Sequence, residues 1–184
     1  MEKNSDSGKF PMLIMAGGTG SRMDFPDKGI LMVKGKTLID RNVDLFSHYT
    51  ENTFIATTKN TVITKEYYYG KFPVLETDGR GYSEDLSDAL SKIGSYPILV
   101  VPSDLYIYHQ EVINRFMNEA LYRKKGVVSM LIGGIFSGFS LYFSKPQDVD
   151  EDHFYYINFT ERDACNVNTR VDYYLLLNKS GIKN

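Results

Sequence analysis

The sequence predicts an α/β fold of the doubly wound, Rossmann-like kind, built on a mainly parallel but mixed sheet. Three observations predict it. Apolar runs of strand length recur at 11–16, 53–57, 72–75, 97–101 and 128–132. Helix-length stretches fall between most of them, as parallel strands joined by crossovers require. A glycine-rich segment, Gly17-Gly18-Thr19-Gly20, comes after the first run, at the kind of strand exit where open α/β sheets receive ligands.

Taken in order, the first helix is expected at 38–49, with Thr37 as cap and Asp40 in the capping-box position. The second is expected at 84–93 behind Ser83, with acids in its first turn that favour the helix dipole. Two more are expected at 110–124 and, behind Thr169, at 170–177. The alternation degrades after Gly133, where pieces at 139–143 and 154–159 suggest an added hairpin or an antiparallel edge. Residues 127–144 carry no charge and come after Arg123, Lys124 and Lys125, so their length approaches a membrane span. Four serines and three glycines in that stretch argue instead for two buried strands around a Gly133-Gly134 turn, and no stable membrane span is expected.

A chain of 184 residues with 42% hydrophobic content suits one domain over 1–184, with the polar residues 1–9 as a flexible tail. The 21 basic and 23 acidic side chains are interspersed, which leaves no basic track for nucleic acid. A single cysteine, Cys165, excludes an internal disulfide and fits a reducing, cytoplasmic setting. His48, His109 and His153 are scattered, so no zinc site is expected. The apolar stretch 10–16 is too short for a signal peptide.

At the first strand exit, glycines let backbone N–H groups close around an anion without Cβ interference, and Arg22 and Lys28 add charge suited to a polyphosphate. The candidate nucleotide-binding residues there are Ala16, Gly17, Gly18, Thr19, Gly20 and Ser21. Two commoner loops fail on spacing: a dinucleotide fingerprint would need glycine where Met23 stands, and a Walker loop ending in Gly35-Lys36-Thr37 would need glycine at Ile30. Further along, Pro102-Ser103-Asp104-Leu105 sets a carboxylate at the end of a central strand, and Asp104 is the candidate ligand for Mg2+. In Asn166-Val167-Asn168-Thr169 the two asparagines share one face and Val167 the other. Between a strand and a helix, Gly79 and Gly81 permit backbone contact with a nucleobase. Either Glu84 or Asp85 can accept from the N1–H and exocyclic amine of guanine.

The run 13–23 together with Lys28 resembles the signature of the nucleotidyltransferases that include the molybdenum-cofactor guanylyltransferases, the sugar-phosphate nucleotidylyltransferases and the adenosylcobinamide-phosphate guanylyltransferases. The resemblance implies the nucleotide-diphospho-sugar transferase type of sheet. It assigns Arg22 to the β- and γ-phosphates, Lys28 to the reacting phosphates, and Asp104 with Asn168 to the metal. Arg22, Lys28 and Asp104 are thus the expected catalytic residues. The family usually has proline after the lysine and again after the Asn-x-Asn-Thr motif. Here Gly29 and Arg170 stand in those places, which implies a less rigid loop and a less pre-set helix start.

Gly81-Tyr82-Ser83-Glu84-Asp85-Leu86 resembles the Gly-Tyr-x-Glu-Asp-Leu run of the adenosylcobinamide-phosphate guanylyltransferases, and it adds Tyr82 to the nucleotide site. This second resemblance implies transfer of GMP from GTP to a phosphorylated corrinoid. Transfer to molybdopterin or a sugar phosphate, and a non-catalytic nucleotide-binding module, remain the alternatives. The aromatic clusters at 67–69, 154–156 and 173–174 are read as core and interface, which is compatible with a homodimer.

Overall fold

The computed structural model describes residues 8–18 and 27–180. Of the expected tail, residues 1–7 lie outside the described residues. Eleven strands and five α-helices occur among those described: β1 (Phe10–Met15), β2 (Met32–Val33), β3 (Lys36–Thr37), α1 (Leu38–Phe46), β4 (Thr50–Thr57), α2 (Val62–Tyr68), β5 (Val74–Glu76) and α3 (Tyr82–Ile93) form the first half. The second half contains β6 (Ile98–Pro102), β7 (Leu105–Ile107), α4 (Gln110–Arg123), β8 (Val127–Ile132), β9 (Ile135–Tyr142), β10 (Phe154–Phe159), β11 (Ala164–Asn166) and α5 (Arg170–Lys179).

Seven strands form one sheet in the order β10-β8-β9-β6-β1-β4-β5. Neighbours are parallel at β1/β4, β1/β6, β4/β5 and β8/β10, and antiparallel only where β9 meets β6 and β8. The mainly parallel, mixed sheet is therefore present. Alternate residues of β1 feed two apolar layers. Met12 and Ile14 pack with Phe46, Phe116 and Phe139 on one face, and Leu13 and Met15 with Leu86, Ala89 and Leu90 on the other. Helices covering both faces explain why the strand reads as continuously apolar.

The expectation of an antiparallel edge needs correction. β8 and β9 do turn at Gly133-Gly134, both in the left-handed region (φ 58° and 83°), but β9 lies inside the sheet and β10 forms the edge. A two-residue reversal forces the antiparallel pairing, and β9 then bonds β6 on its free side. Residues 127–144 are thus a hairpin buried in the sheet except at its exposed tip, and among the described residues no helix is long and apolar enough to cross a membrane.

Local sequence misleads at two places. α2 is rich in β-branched and aromatic residues, which disguise a helix. It is held by tertiary contacts: Thr64 N–H donates to buried Asp27 Oδ1 (2.9 Å), and the Tyr68 hydroxyl lies 2.5 Å from Thr37 Oγ1 and donates to Asp40 Oδ1 (3.1 Å). Thr37 caps α1 as expected, accepting from Asp40 N–H (2.9 Å), while the Asp40 carboxylate is turned to Tyr68. Gly35-Lys36-Thr37 belongs to the β2–β3 hairpin, whose turn residues Lys34 and Gly35 both have positive φ (50° and 75°), so no phosphate loop forms there.

Candidate active site

The sheet changes winding direction between β1 and β6, and the exits of β6, β1, β4 and β5 are aligned there. Ser103 N–H donates to Met15 O (2.9 Å), Ala16 N–H to Ala56 O (2.8 Å) and Thr77 N–H to Thr57 O (2.8 Å), so the ladder continues past the strand ends. Ligands of open α/β sheets bind at such a switch point. Ala16 spends its amide on the sheet, which leaves Gly17 and Gly18 as the first loop amides among the described residues. Thr19, Gly20, Ser21 and Arg22, expected to complete the cradle, lie outside the described residues.

Thr58, buried at the exit of β4, joins two of the expected loops. A Cβ on Gly17 would meet Thr58 Cγ2 at 2.7 Å, and one on Gly79 would meet Thr58 Cβ at 3.5 Å. Gly79 also has a φ of 73°, a conformation that L side chains rarely adopt. The glycine loop and the segment expected to receive a base therefore converge on one small side chain. Its position at a strand exit is where a sequence reading would look, but nothing in the sequence identifies Thr58 itself.

The structure divides the roles of the two acids in that segment. Asp85 is buried and its Oδ1 accepts from Gly79 N–H (2.9 Å), so it holds the loop. Glu84 stays exposed one residue earlier on α3. Arg80 pairs with Asp78. Tyr82 begins α3, two residues earlier than expected, and its hydroxyl donates to Gly138 O of β9 (3.0 Å). Burial pushes that phenol's pKa up, so it remains a donor at any physiological pH.

Lys28, in a 3-10 turn (Lys28–Ile30), reaches across the cleft. Its Nζ donates to Asp104 Oδ2 (3.0 Å) and to Asn168 Oδ1 (3.4 Å), and the Lys28 and Asp104 side chains are each 18% exposed. Asp104 comes just after β6, and its carbonyl accepts from Val167 N–H (2.8 Å). The β7/β11 pairing, with Asn166 opposite Leu105, brings the asparagine motif to it. Asn166 Nδ2 donates to Asp104 Oδ1 (3.3 Å) and to Ser137 O (3.0 Å), while Val167 is fully buried. Both asparagines thus face the cleft as expected, but the clamp that Asn166 places on Asp104 is not readable from the sequence.

The two departures from the family pattern have structural reasons. A Cβ on Gly29 would meet Ile39 Cδ1 at 2.5 Å and Ser103 Cβ at 3.1 Å, so proline has no room after this lysine. At α5 the start is pre-set without proline. Thr169 Oγ1 accepts from Asp172 N–H (3.2 Å), and Asp172 Oδ2 accepts from Thr169 N–H (2.7 Å) and Asn168 N–H (3.0 Å). This capping box corrects the expectation of a looser helix start, and it also fixes the Asn168 backbone.

Asp104 Oδ2 and Asn168 Oδ1 converge on a single cationic nitrogen, so the oxygens that a hard divalent cation prefers are already aimed at one point. No cluster of three acidic, histidine or cysteine side chains able to hold a metal occurs among the described residues. A cation here would take the rest of its coordination from phosphate and water.

The sequence profile described as the MobA-like NTP transferase domain matches residues 12–137, more than half of the chain. The chain belongs to the MobA-like NTP transferase family. An adenosylcobinamide-phosphate guanylyltransferase of Methanocaldococcus jannaschii is 41% identical over 113 residues, covering 58% of this chain and 57% of the relative. A molybdenum cofactor guanylyltransferase of Shewanella sp. (strain ANA-3) is 25% identical over 108 residues, covering 57% of this chain and 53% of the relative. The chain thus spans little more than half the length of the curated relatives it matches. CTP:phosphocholine cytidylyltransferase from Streptococcus pneumoniae shares the nucleotidyltransferase fold, with a TM-score of 0.70 at 14% identity, covering 94% of this chain and 99% of the other. The MobA-like match ends at Ser137, near where the regular alternation of the sequence also ends.

Proposed function

We propose that the protein transfers GMP from GTP to adenosylcobinamide phosphate, yielding adenosylcobinamide-GDP and pyrophosphate. The observation that carries the chemistry is the convergence of Lys28, Asp104 and Asn168 beside the glycine-rich exit of β1. Guanine and the corrinoid are favoured by 41% identity to a relative of that activity, and by the Gly81–Leu86 run.

In this reading Gly17 and Gly18 begin the phosphate cradle, Arg22 neutralises the β- and γ-phosphates, and the 79–85 segment receives the base. A phosphate oxygen of the acceptor attacks the α-phosphorus, and the bond from that phosphorus to the bridging oxygen breaks to release pyrophosphate. Two anions must approach each other, so the residues' work is neutralisation and alignment. Lys28, already within reach of Asp104, turns its ammonium to the reacting phosphates. Asp104 and Asn168 would hold Mg2+, which supplies charge neutralisation between nucleotide and acceptor. Asn166 and Asp172 keep those two ligands oriented. No side chain forms a covalent intermediate. The β7/β11 pair, the 3-10 turn at Lys28 and the start of α5 gather these residues at the exits of β1 and β6, which supports reading the chain as a single transferase domain.

The test is incubation of GTP, adenosylcobinamide phosphate and Mg2+ with the protein, and then mass detection of the guanylylated corrinoid. Parallel arms with molybdopterin and sugar phosphates, and with ATP, CTP and UTP, identify a different acceptor or nucleotide. GTP binding without pyrophosphate release for any acceptor would establish a non-catalytic module.

A further inference from the structure

Asp27 is a buried carboxylate to which the proposed reaction gives no task. It is 2% exposed, and it stands next in the chain to Lys28. Its Oδ1 accepts from Thr64 N–H in the first turn of α2 (2.9 Å), and its carbonyl accepts from Ile30 N–H in the turn that carries Lys28 (3.4 Å). A hydrogen bond to an ionised carboxylate is stronger than a neutral one, so this tether is a firm one. On the other side of Lys28, Gly29 is wedged against Ile39 and Ser103, where a Cβ would have no room. The lysine backbone is therefore held from both sides.

The tether leads back to the nucleotide half of the site. Thr58 N–H donates to Thr61 Oγ1 (3.0 Å), and Thr61 donates to Thr58 O from its N–H (3.0 Å) and its hydroxyl (3.2 Å), which ties the exit of β4 to the start of α2. Thr58 is the side chain on which Gly17 and Gly79 close in. Thr58, Thr61 and Thr64 are all buried. One stretch, 58–64, thus carries the floor under the glycine loops at one end and the hold on Asp27 at the other.

We infer that Asp27 is a positioning residue, which through Thr64 fixes where Lys28 stands relative to the nucleotide floor. The inference rests on the guanylyl-transfer reading above for the work that Lys28 does at the reacting phosphates. A long, flexible lysine arm is aimed only as well as its backbone is fixed, and misplacing a reacting group by about 1 Å can cost on the order of 10²-fold in rate. Loss of the Asp27 acceptor would leave Thr64 N–H buried without a partner and release the segment that ends at Lys28. A side chain that only filled space at this position would need no acceptor oxygen.

The experiment measures kcat, KM for GTP and Tm in the wild-type chain, Asp27→Ala, Asp27→Asn and Tyr68→Phe, using GTP, adenosylcobinamide phosphate and Mg2+. Asparagine keeps an oxygen that can accept from Thr64 N–H. Tyr68→Phe cuts the other tether of α2, its bonds to Thr37 and Asp40, and so controls for loosened structure alone. Asp27→Ala should lower kcat about tenfold or more with KM for GTP within about twofold, the pattern of an interaction made only in the transition state. Asp27→Asn should recover most of the rate, while Tyr68→Phe should lower Tm and leave kcat within about twofold. In a Lys28→Ala background, Asp27→Ala should cost nothing further, because a residue that acts through Lys28 has nothing left to position. Full kcat in Asp27→Ala, equal losses in both backgrounds, or an equal loss in Tyr68→Phe would overturn the inference.

A second readout does not depend on turnover. Acetylation of Lys28 by acetic anhydride, followed by mass spectrometry, should be slow in the wild-type chain, where the ammonium is 18% exposed and paired with Asp104. It should quicken several-fold in Asp27→Ala and in neither of the other variants. Faster labelling in Asp27→Ala without wild-type turnover would overturn the proposed function and uphold Asp27 as the tether of Lys28. Equal labelling in all four proteins would overturn the inference whatever the turnover. Should Asp27→Ala fail to fold, Asp27→Ser, whose shorter side chain withdraws the acceptor but keeps a polar group in the buried site, replaces it in every arm.

Discussion

Lys28 Nζ lies 3.0 Å from Asp104 Oδ2, although the two residues are 76 positions apart and enter the site from opposite sides of the cleft. A lysine and a carboxylate so placed can trade one partner for another. In the proposed reaction Lys28 would gain phosphate and Asp104 the cation when nucleotide and metal arrive, and neither charge would be left buried without a partner.

Removing either member should abolish most turnover. Lys28→Ala and Asp104→Asn are each expected to lower kcat on the order of 10²-fold or more, since each removes charge stabilisation at the reacting phosphates. Steady-state pyrophosphate release measures this. An effect of only a few-fold for both would remove them from the catalytic site.

Asn166→Ala tests a positioning role. Its amide ties Asp104 Oδ1 to Ser137 O, so its loss should free the carboxylate to rotate. Activity should fall roughly 10–100-fold, the usual cost of losing a partner that orients a metal ligand. The distinguishing readout is the Mg2+ concentration at half-maximal rate, which should rise while KM for GTP changes little.

The two acids of the base loop should separate. Asp85→Ala removes the acceptor for Gly79 N–H, and it should weaken every nucleotide alike. Glu84→Gln should instead reduce the preference for GTP over ATP. Competition binding across the four nucleoside triphosphates distinguishes the two outcomes.

Gly29→Pro should not rigidify the loop to advantage. The added ring would crowd Ile39 and Ser103, and overpacking of this kind costs about 1–3 kcal/mol. At roughly 2–4 °C per kcal/mol for a chain of this size, calorimetry should record a lower Tm.

Alkaline stability depends on the tyrosines. Burial raises the folded-state pKa values of Tyr68, Tyr82, Tyr108 and Tyr142 above the ordinary value of 10.0. An acid whose folded pKa is raised favours the folded state less once its unfolded counterpart can ionise. The stability is therefore fully present below the ordinary phenol value and is lost as pH climbs through the raised one. Spectroscopic titration should show these four phenols ionising only on unfolding at higher pH.

Much of this is legible in the sequence because it is local. The apolar runs, the glycine exit, Thr37 and Thr169 as caps, and the acid after β6 all announce themselves within a few residues. The features that escape depend on contacts between distant segments. α2 is a helix through Asp27 and Tyr68 despite its strand-like composition. β9 is interior because it pairs with β6 on the side away from β8. The Asn166 clamp and the floor at Thr58 join positions that only the folded sheet brings together.

The most direct test of the central claim is a crystal structure with Mg2+ and a non-hydrolysable GTP analogue. The expected result is one metal ion touching Asp104 and an α-phosphate oxygen, with Lys28 Nζ moved from the carboxylate to the phosphates and the tail lying on the loop that begins at Gly17. A phosphate tail bound elsewhere, with Lys28 still on Asp104, would contradict it.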